Sequence, residues 1–505
     1  MSEPRVRSHR PAAAGATTPR GIAALITMAA ALATPSLIAF TALALPPSPA
    51  AAQQPALSSN VLRYVAVDTP VVALTHVRVI DGTGAPARAD QTLVIRAGTI
   101  AALGPASSVK VPPGADVMDL AGKSVIPGLV MMHEHLFYPT GPGVYGNTAE
   151  SFTRLYLAGG VTTMRTTGDM NGYGDLAIAR AIKDGLKPGP WIDATGPYLT
   201  GAGNRFEQMY TLKGAADAKR MVDFWADAGA TSFKAYMNIT RAELGAAVQE
   251  AHARGLKITG HLCSVTYREA ADLGIDDLEH GFFVSTDFVE DKKSDQCPGQ
   301  RAGMAALDRV DPAGPRFGAL VDTLIAHHVA VTSTLTVFET FTPGRPQPPG
   351  LDVLDPILKQ QFEKTYERIQ QDTASIYPEL FGKDMAMERR FARAGGLLLA
   401  GTDPTGYGGV IPGYSDQRQV ELLVEAGLTP LEAIRICTLN GAIYLGRADR
   451  IGSLAVGKQA DLVVIDGDPA VHISDMRNVE MVFRQGVGYD PRKLIASVRG
   501  EVGLF

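Results

Sequence analysis

The 505-residue sequence has few cysteines, no basic stripe and no repeat of fixed period. Three cysteines cannot form a fully paired disulfide framework within one chain, and a chain of this length can bury a core that needs none. The formal net charge of −5 argues against nucleic acid or an anionic membrane as the partner. The lack of low-complexity tracts and repeats argues against fibrous and repeat architectures. What remains is the composition of a folded soluble protein, 46% hydrophobic and 20% charged, whose length suits one large domain with a smaller companion.

Residues 1–52 have the pattern of a targeting segment. Four arginines precede an apolar run over residues 22–45, and the small residues Ala50 and Ala52 stand before Gln53 as at a signal-peptidase site. We therefore predict a signal peptide over residues 1–52 and an exported protein, periplasmic or secreted, with no stable membrane association after cleavage. The alternative is an uncleaved membrane anchor, because the apolar run is longer than the usual ~7–15 residues. Pro35 and the abundance of alanine make this run a poor permanent span.

All three cysteines follow the targeting segment. In an oxidising compartment Cys263 and Cys297 could pair and close a loop that holds part of the candidate site described below. Cys437 lies in an apolar helical pattern and is expected to pack in a core.

The two ends of the remaining chain share a β-rich texture. Short β-like runs at residues 92–96 and 99–103 are separated by turns such as Asp81-Gly82, and similar runs return at residues 460–467 and 479–483. We predict one small β-sandwich domain built from residues 66–125 and 448–495, with the middle of the chain inserted between them.

The middle, residues 126–447, alternates buried-strand runs with helical patterns such as that of residues 215–228. This alternation is typical of an α/β fold with parallel strands, and eight strands predict a TIM (β/α)8 barrel. The strand runs are residues 125–132, 161–166, 191–195, 232–236, 258–261, 277–280, 329–335 and 397–402.

The end of the first strand run carries His133-Glu134-His135. Residues i and i+2 of a strand point to the same side, so both imidazoles can reach one metal ion. Histidine is a common ligand of zinc and similar metals. The pair alone is weak evidence, because a His-x-His pair also arises by chance or as a surface feature.

Four further residues stand where barrel strands run or end: Lys234, His261, His280 and Asp403. Singly, each histidine fits a core or loop residue, the aspartate before Pro404 fits a turn, and the lysine fits a side chain that reaches the surface. Barrel active sites, however, are assembled from the carboxyl ends of several strands. Together with the His-x-His pair, the four residues therefore predict a catalytic metal site.

These motifs resemble the amidohydrolase superfamily, particularly its imidazolonepropionase-like and prolidase-like members. The resemblance covers nearly all of residues 70–490. Besides the candidate site, the stretches that carry it are Val77-Arg78-Val79-Ile80-Asp81-Gly82, Ile126-Pro127-Gly128-Leu129, Gly160-Val161-Thr162-Thr163, Gly401-Thr402-Asp403 and a tail from Gly452-Ser453-Leu454 to Asp461-Leu462-Val463-Val464.

The resemblance implies a role for each site residue. His133 and His135 bind the more buried of two divalent metal ions, and zinc is the expected metal. Lys234, carboxylated by carbon dioxide, bridges the two ions, while His261 and His280 hold the second. Asp403 contacts the first ion and serves as the general base.

Some positions depart from the pattern expected of close relatives. The loop after the third strand, where a Gly-His pair is common, reads Gly201-Ala202-Gly203-Asn204-Arg205, and Gln417 and Gln419 stand where a His and a Glu are common. These changes leave the metal set intact and bear on substrate choice. Arg205 is a candidate partner for a substrate carboxylate, and an ordinary surface arginine is the alternative. Tyr236 should face the same side as Lys234 and contact the substrate, with simple packing as the alternative.

The resulting hypothesis is a binuclear metal-dependent amidohydrolase that cleaves an amide C–N bond in a small molecule, such as a dipeptide or an N-acyl amino acid, through a metal-activated hydroxide. The nearest alternative is a cyclic-amide, lactone or ester hydrolase on the same site. An alternative of another class is a catalytically inactive barrel that acts as a binding protein. A redox metalloprotein is disfavoured because the set contains no cysteine cluster. A homo-oligomer is compatible with the sequence, which leaves the oligomeric state open.

Overall fold

In the computed structural model, which describes residues 55–141, 143–170 and 172–504, eight parallel strands follow one another through the middle of the chain. They are β1 (Leu129–Glu134), β2 (Val161–Thr166), β3 (Trp191–Asp193), β4 (Ser232–Met237), β5 (Lys257–Leu262), β6 (Asp277–Glu279), β7 (Ala330–Ser333) and β8 (Leu398–Ala400). Each predicted strand run overlaps one of these strands, and the predicted α/β class is confirmed. The first run, residues 125–132, is divided, because Ser124–Pro127 pairs in another sheet and β1 begins only at Leu129.

The eight strands form two ladders, one of β1 to β3 and one of β4 to β8. Isolated parallel bridges, such as Thr195 with Ser232, join β3 to β4. At the other seam, the His133 carbonyl oxygen accepts hydrogen bonds of 3.0 Å from the backbone N–H groups of Thr402 and Asp403. The fold is therefore TIM-barrel-like, although no continuous closed ladder is found among the described residues.

Several predicted strands leave the ladder early at their carboxyl ends. The third ends at Asp193, the seventh at Ser333 and the eighth at Ala400, each two residues before the apolar pattern stops. Burial continues past these points, so the apolar pattern extends beyond the paired part of each strand.

Helices follow most of these strands, and a capping box of threonine and glutamate begins several of the helices, as at Thr240, Thr266 and Thr429. Thr240 and Thr266 each accept from the backbone N–H of the glutamate three residues on, whose side chain accepts in return. None of the described helices is long and apolar enough to cross a membrane. The predicted signal peptide, residues 1–52, lies outside the described residues. The helices are Ser59–Leu62, Ala149–Ala158, Gly174–Lys183, Ala215–Ala228, Arg241–Ala253, Tyr267–Asp272, Gln300–Asp308, Pro315–Ala326, Leu335–Thr340, Pro356–Gln370, Tyr377–Arg393, Tyr414–Glu425, Pro430–Arg435, Gly441–Tyr444 and Pro491–Ala496, with 3-10 turns at Leu351–Val353 and Ile473–Arg477 and a π-helical turn at Ile436–Asn440.

Strands from both chain ends share one nine-stranded mixed sheet. Its central pairing sets Leu462–Ile465 antiparallel to Ser124–Pro127, the strand that leads into β1. The pairing confirms that the two ends assemble together, while the two-layer sandwich and its boundaries stay predictions. The remaining strands of the sheet are Val65–Val67, Val71–Val79, Arg88–Arg96, Thr99–Pro105, Asp116–Asp119, Val479–Arg484 and Val487–Tyr489; a separate hairpin pairs Phe137–Gly141 with Val144–Asn147.

The cysteines follow the sequence-based expectation. Cys263 and Cys297 form a disulfide with a Cα–Cα distance of 4.8 Å, and Cys437 is a buried free thiol. The bridge closes a loop that contains His280.

The packing between β8 and β1 is so close that one added methyl group should disturb it. A Cβ at Gly401 would lie 2.4 Å from the backbone nitrogen and the Cβ of His133. We expect Gly401→Ala to lower the free energy of unfolding by about 1–3 kcal/mol, because an overpacked core must shift its backbone. Urea unfolding followed by circular dichroism measures the change.

Gly382→Ala is the matched control. Gly382 is exposed within the helix Tyr377–Arg393, and a Cβ there meets nothing within 4 Å. Alanine should stabilise that helix by about 0.5–1 kcal/mol. Equal unfolding midpoints for the two variants would show that the seam is not under steric constraint.

Candidate metal centre

The structure brings all six predicted site residues to one cavity at the carboxyl ends of the strands. They line a space of about 350 Å³ together with aromatic side chains. β1, β4 and β5 supply His133, Lys234 and His261 from within the strands, whereas the other three follow a strand: His135 after β1, His280 after β6 and Asp403 after β8.

His133, His135 and Asp403 form the tightest group. Their ligand atoms lie within 4.8 Å of one another, and Asp403 Oδ1 is 3.2 Å from His135 Nε2 and 3.7 Å from His133 Nε2. Lys234 Nζ lies 3.3 Å from the same His133 nitrogen. Two imidazoles and a carboxylate that converge in this way are a suitable ligand set for one divalent cation.

His280 and His261 form a second, adjacent pair. Their ring centroids are 4.4 Å apart, and that of His280 is 4.6 Å from that of His133. His280 Nδ1 lies 2.9 Å from Thr334 Oγ1, while its buried Nε2 has no hydrogen-bond partner. A buried nitrogen without a partner requires an explanation, and a metal ion would satisfy it.

Burial sets the protonation state of these groups. Loss of hydration lowers the pKa of His133, His135 and His280, and lowers that of His261 to about 3, so the imidazoles are neutral at pH 7 as metal binding requires. Burial alone would raise the pKa of Asp403, but the neighbouring His133, His135 and Lys234 side chains hold it below its usual range. The site therefore combines a carboxylate with neutral nitrogen ligands.

Lys234 is the unusual cation of this group. It is 1% exposed, and burial lowers its pKa to about 8. A substantial fraction of the side chain is therefore a neutral amine near that pH.

Two site residues have strained backbones. His280 and Asp403 adopt φ values of 69° and 54°, in the left-handed region that residues other than glycine seldom enter. Such conformations persist where the surroundings enforce them, and they cluster at functional sites. His280 directly follows β6, Asp403 stands three residues after the end of β8, and both side chains line the cavity.

Two charged residues missed in the sequence hold His133 in place. Glu279 Oε2 lies 2.5 Å from His133 Nδ1, and Arg165 donates to Glu279 at 3.0 Å and to Asp277 at 2.6 Å. A carboxylate partner at Nδ1 retains the proton there and leaves Nε2 free to bind a metal. Arg165, a charged residue inside an apolar strand, carried the same signal that identified Lys234.

Glu134, between the two histidines, forms hydrogen bonds across the seam between β1 and β8 and does not line the cavity. It is fully buried and accepts hydrogen bonds from the backbone N–H of Thr402 at 2.9 Å and from its hydroxyl at 2.5 Å. The alternation of strand β1 therefore sends the histidines to one side and the glutamate to the other.

The substrate contacts stay predictions. Tyr236 lines the cavity beside His261, at a ring distance of 5.0 Å. Arg205 is exposed and does not line this cavity, although its neighbour Phe206 does. Gln417 and Gln419 form hydrogen bonds within the protein scaffold. Gln417 donates to the Gly159 carbonyl at 3.3 Å, and Gln419 donates to Ser333 Oγ at 2.8 Å.

A larger cleft lies on the other side of the site. It has a volume of about 820 Å³ with its open mouth included, and it shares His261, His280, Asp403 and Thr405 with the smaller cavity. The candidate centre thus has space on two sides.

Comparison with known proteins places these observations in a family context. A model of the amidohydrolase family matches residues 124–338 and 376–488. An imidazolonepropionase of Deinococcus radiodurans is 26% identical over 390 residues, which cover 75% of this chain and 86% of that protein. The crystal structure of a Xaa-Pro dipeptidase with methionine in its active site gives a TM-score of 0.64 at 20% identity over 83% of this chain and all of the other. The structure of phenylurea hydrolase B gives 0.62 at 22% identity, covering 84% of this chain and 97% of the other.

The histidine cluster should make the metal-free protein sensitive to acid. The folded-state pKa of His261, about 3, is lower than the ordinary 6.5, so between these values the unfolded chain binds more protons and acid favours unfolding. We expect the free energy of unfolding of chelator-treated protein to fall by about 1.4 kcal/mol per pH unit for each such histidine as pH drops below about 6.5. Urea titrations over this pH range measure the slope.

His261→Gln should show a shallower pH dependence than the wild-type protein. His76→Gln is the control, because His76 is exposed and Asp90 raises its pKa, which gives any effect the opposite sign. A His261→Gln slope equal to that of the wild type would contradict the assigned protonation state.

Proposed function

The chain belongs to the amidohydrolase family, and on that premise we propose that it is a metal-dependent hydrolase of a carbon–nitrogen bond. The substrate we propose is a small amide such as a dipeptide or an N-acyl amino acid. The observation that carries the proposal is the convergence of His133, His135 and Asp403 on one point beside the buried Lys234. A binding protein has no need of a buried lysine and an ionised carboxylate in one cavity.

The donor set suits two divalent cations, and zinc fits its imidazoles and carboxylate. His133, His135 and Asp403 would hold one ion, and His261 with His280 the other. When bound, such cations polarise a carbonyl group and lower the pKa of water toward neutrality.

Carboxylation of Lys234 is the proposed bridge between the ions. The neutral amine of Lys234 would attack carbon dioxide: an N–C bond forms, one C=O π bond opens onto oxygen, and the proton lost from nitrogen passes to solvent, so the side chain becomes a carbamate anion. The lowered pKa of Lys234 supports this step because it supplies the neutral amine. The anion would also remove the electrostatic conflict between a buried ammonium and two cations.

Asp403 is the proposed general base. It accepts a proton from the attacking water and passes it to the leaving nitrogen. Thr405 Oγ1 donates to Asp403 Oδ1 at 2.8 Å and so fixes the carboxylate, whose other oxygen lies 3.7 Å from His280 Nδ1. Burial of the carboxylate, 7% exposed, limits competing contacts with bulk water.

Other substrates fit the same groups. A cyclic amide, lactone or ester presents the same carbonyl to the same base, and a substrate panel separates these reactions. An inactive barrel that acts as a binding protein is the alternative of another class. Export to the periplasm or medium and self-association remain parts of the proposal.

Metal content tests the ligand assignment first. Protein purified from residue 53 onward without chelator should contain about two divalent ions per chain by elemental mass spectrometry. Lys234→Ala should lower that content, whereas Lys257→Ala, which changes an exposed lysine of the adjacent strand, should leave it unchanged.

The remaining outcomes of the metal measurement are equally informative. A single ion per chain would retain hydrolysis and discard the bridging lysine. If the protein contains no metal ion and takes up none when zinc and bicarbonate are supplied, the catalytic proposal is wrong and the binding protein is favoured.

Replacement of the base tests the mechanism. Asp403→Asn should lower kcat for an amide substrate by about 10²–10⁴-fold, since asparagine cannot accept the proton. Asp272→Asn, at an exposed helix position, is the control and should retain full activity. A normally folded, metal-free Asp403→Asn protein that still binds a partner would instead support the binding protein.

A further inference from the structure

The larger cleft, which we name the apolar cleft, is built from the carboxyl ends of β4 to β7 and the segments that follow them. Met237 ends β4, Phe283 follows β6, and Phe338 lies in the helix after β7. Met304, in the helix Gln300–Asp308, lines the opposite wall. The cleft has a volume of about 820 Å³ with its open mouth included.

An aromatic wall leads from the candidate centre into this cleft. The rings of Phe283 and Phe338 are stacked with centroids 3.9 Å apart and planes inclined by 11°. Phe338 meets the His280 ring edge to face at 5.9 Å. A substituent of the substrate that extends from the reacting bond into this cleft therefore contacts an aromatic surface.

Beyond the centre itself, the apolar cleft offers a substrate group no charged partner, and its other polar side chains are Thr286, Gln300 and Thr405. Among the described residues that line it, the ionisable side chains are His261, His280 and Asp403, all members of the candidate metal centre. Cys263 also lines the cleft, but it is held in a disulfide and does not ionise. A charged substituent placed in the cleft away from the centre would lose hydration without gaining a partner of opposite charge.

We propose that the apolar cleft is the specificity pocket for an uncharged, bulky apolar substituent of the substrate, aromatic or long aliphatic, carried on one side of the scissile amide. This inference rests on the proposed function, because it takes the reacting bond to lie beside Asp403. Any charged end of the substrate must then lie on the other side, in the smaller cavity, where Tyr236 and the loop of Arg205 and Phe206 are found.

The proposal narrows the choice of substrates. A dipeptide with two charged or small side chains leaves the apolar cleft filled with water, whereas an amide with a phenyl or alkyl group buries apolar surface there. The second kind of substrate gains in both binding and turnover, so we expect a preference of about tenfold or more.

Ligand binding tests the cleft without any turnover. The probes are 2-naphthalenemethanol, which is neutral, and 2-naphthoate, its anionic counterpart. Their binding to chelator-treated protein, in which no bound cation can hold the carboxylate, is followed by naphthalene fluorescence. The wild-type protein should bind the neutral probe at least about tenfold more tightly. Met304→Lys places a cation in the cleft and should reverse the preference, because the anion gains a partner.

Ala305→Lys is the matched control. It adds the same charge to the next position of the same helix, at an exposed residue that does not line the cleft. The control should keep the wild-type preference. Equal behaviour of the two lysine variants, or tighter binding of 2-naphthoate by the wild type, would overturn the proposal.

Turnover tests the same pocket with one pair of substrates for each side of the bond. Phenylacetylglycine is compared with succinylglycine, and N-acetylphenylalanine with N-acetylaspartate, through kcat/KM from release of the free amino acid. At least one pair should favour the aromatic member about tenfold or more, and Met304→Lys should abolish that preference while Ala305→Lys retains it.

The two assays separate the two proposals. Probe discrimination without hydrolysis of any amide would keep the specificity pocket and reject the proposed function. Hydrolysis without preference in either pair would keep the function and reject the pocket.

Discussion

The contact between Glu279 and His133, buried in the barrel interior, determines the geometry on which the candidate centre depends. It joins β6 to β1 across the interior, and Arg165 completes it from β2. The Arg165 guanidinium balances the negative charge of the Asp277 and Glu279 carboxylates, which are both fully buried. Burial, together with the neighbouring Glu279, raises the pKa of Asp277 to about 7. Removal of either partner would leave a charge buried and unpaired, which is costly in a dry interior. The same contact decides which nitrogen of His133 faces Asp403, so the protein's stability and its chemistry share one interaction.

Much of the barrel-like fold could be predicted from the sequence, because buried parallel strands appear in a sequence as short apolar runs. The runs at residues 161–166 and 232–236 match β2 and β4 closely. The candidate site could be predicted because burial of a charged residue inside or just after such a run costs free energy, and a functional role explains why it is there. Lys234 and Asp403 stood out for that reason.

Other features could not be predicted from the sequence. Glu279 was overlooked because it directly precedes His280, and its role depends on its contact with His133, 146 positions away in the chain. The apolar cleft was missed because Met237, Phe283, Met304 and Phe338 look like ordinary core residues when read singly. Only the packing of separate segments turns them into one wall. Arg205 shows a further limit of residue type: a guanidinium suits a carboxylate, but its type gives no information on where the side chain lies.

The pairing of Leu462–Ile465 with Ser124–Pro127 has a consequence for the order in which the protein can be completed. The strand that leads into β1 receives this partner only after the whole barrel-like region between them has been synthesised. Until then this edge of the strand is unpaired. A growing chain therefore cannot finish this sheet as it leaves the ribosome, and loss of the last strands would harm residues at the opposite end of the sequence. Residues 124–127 and 462–465 are synthesised at very different times but belong to a single sheet.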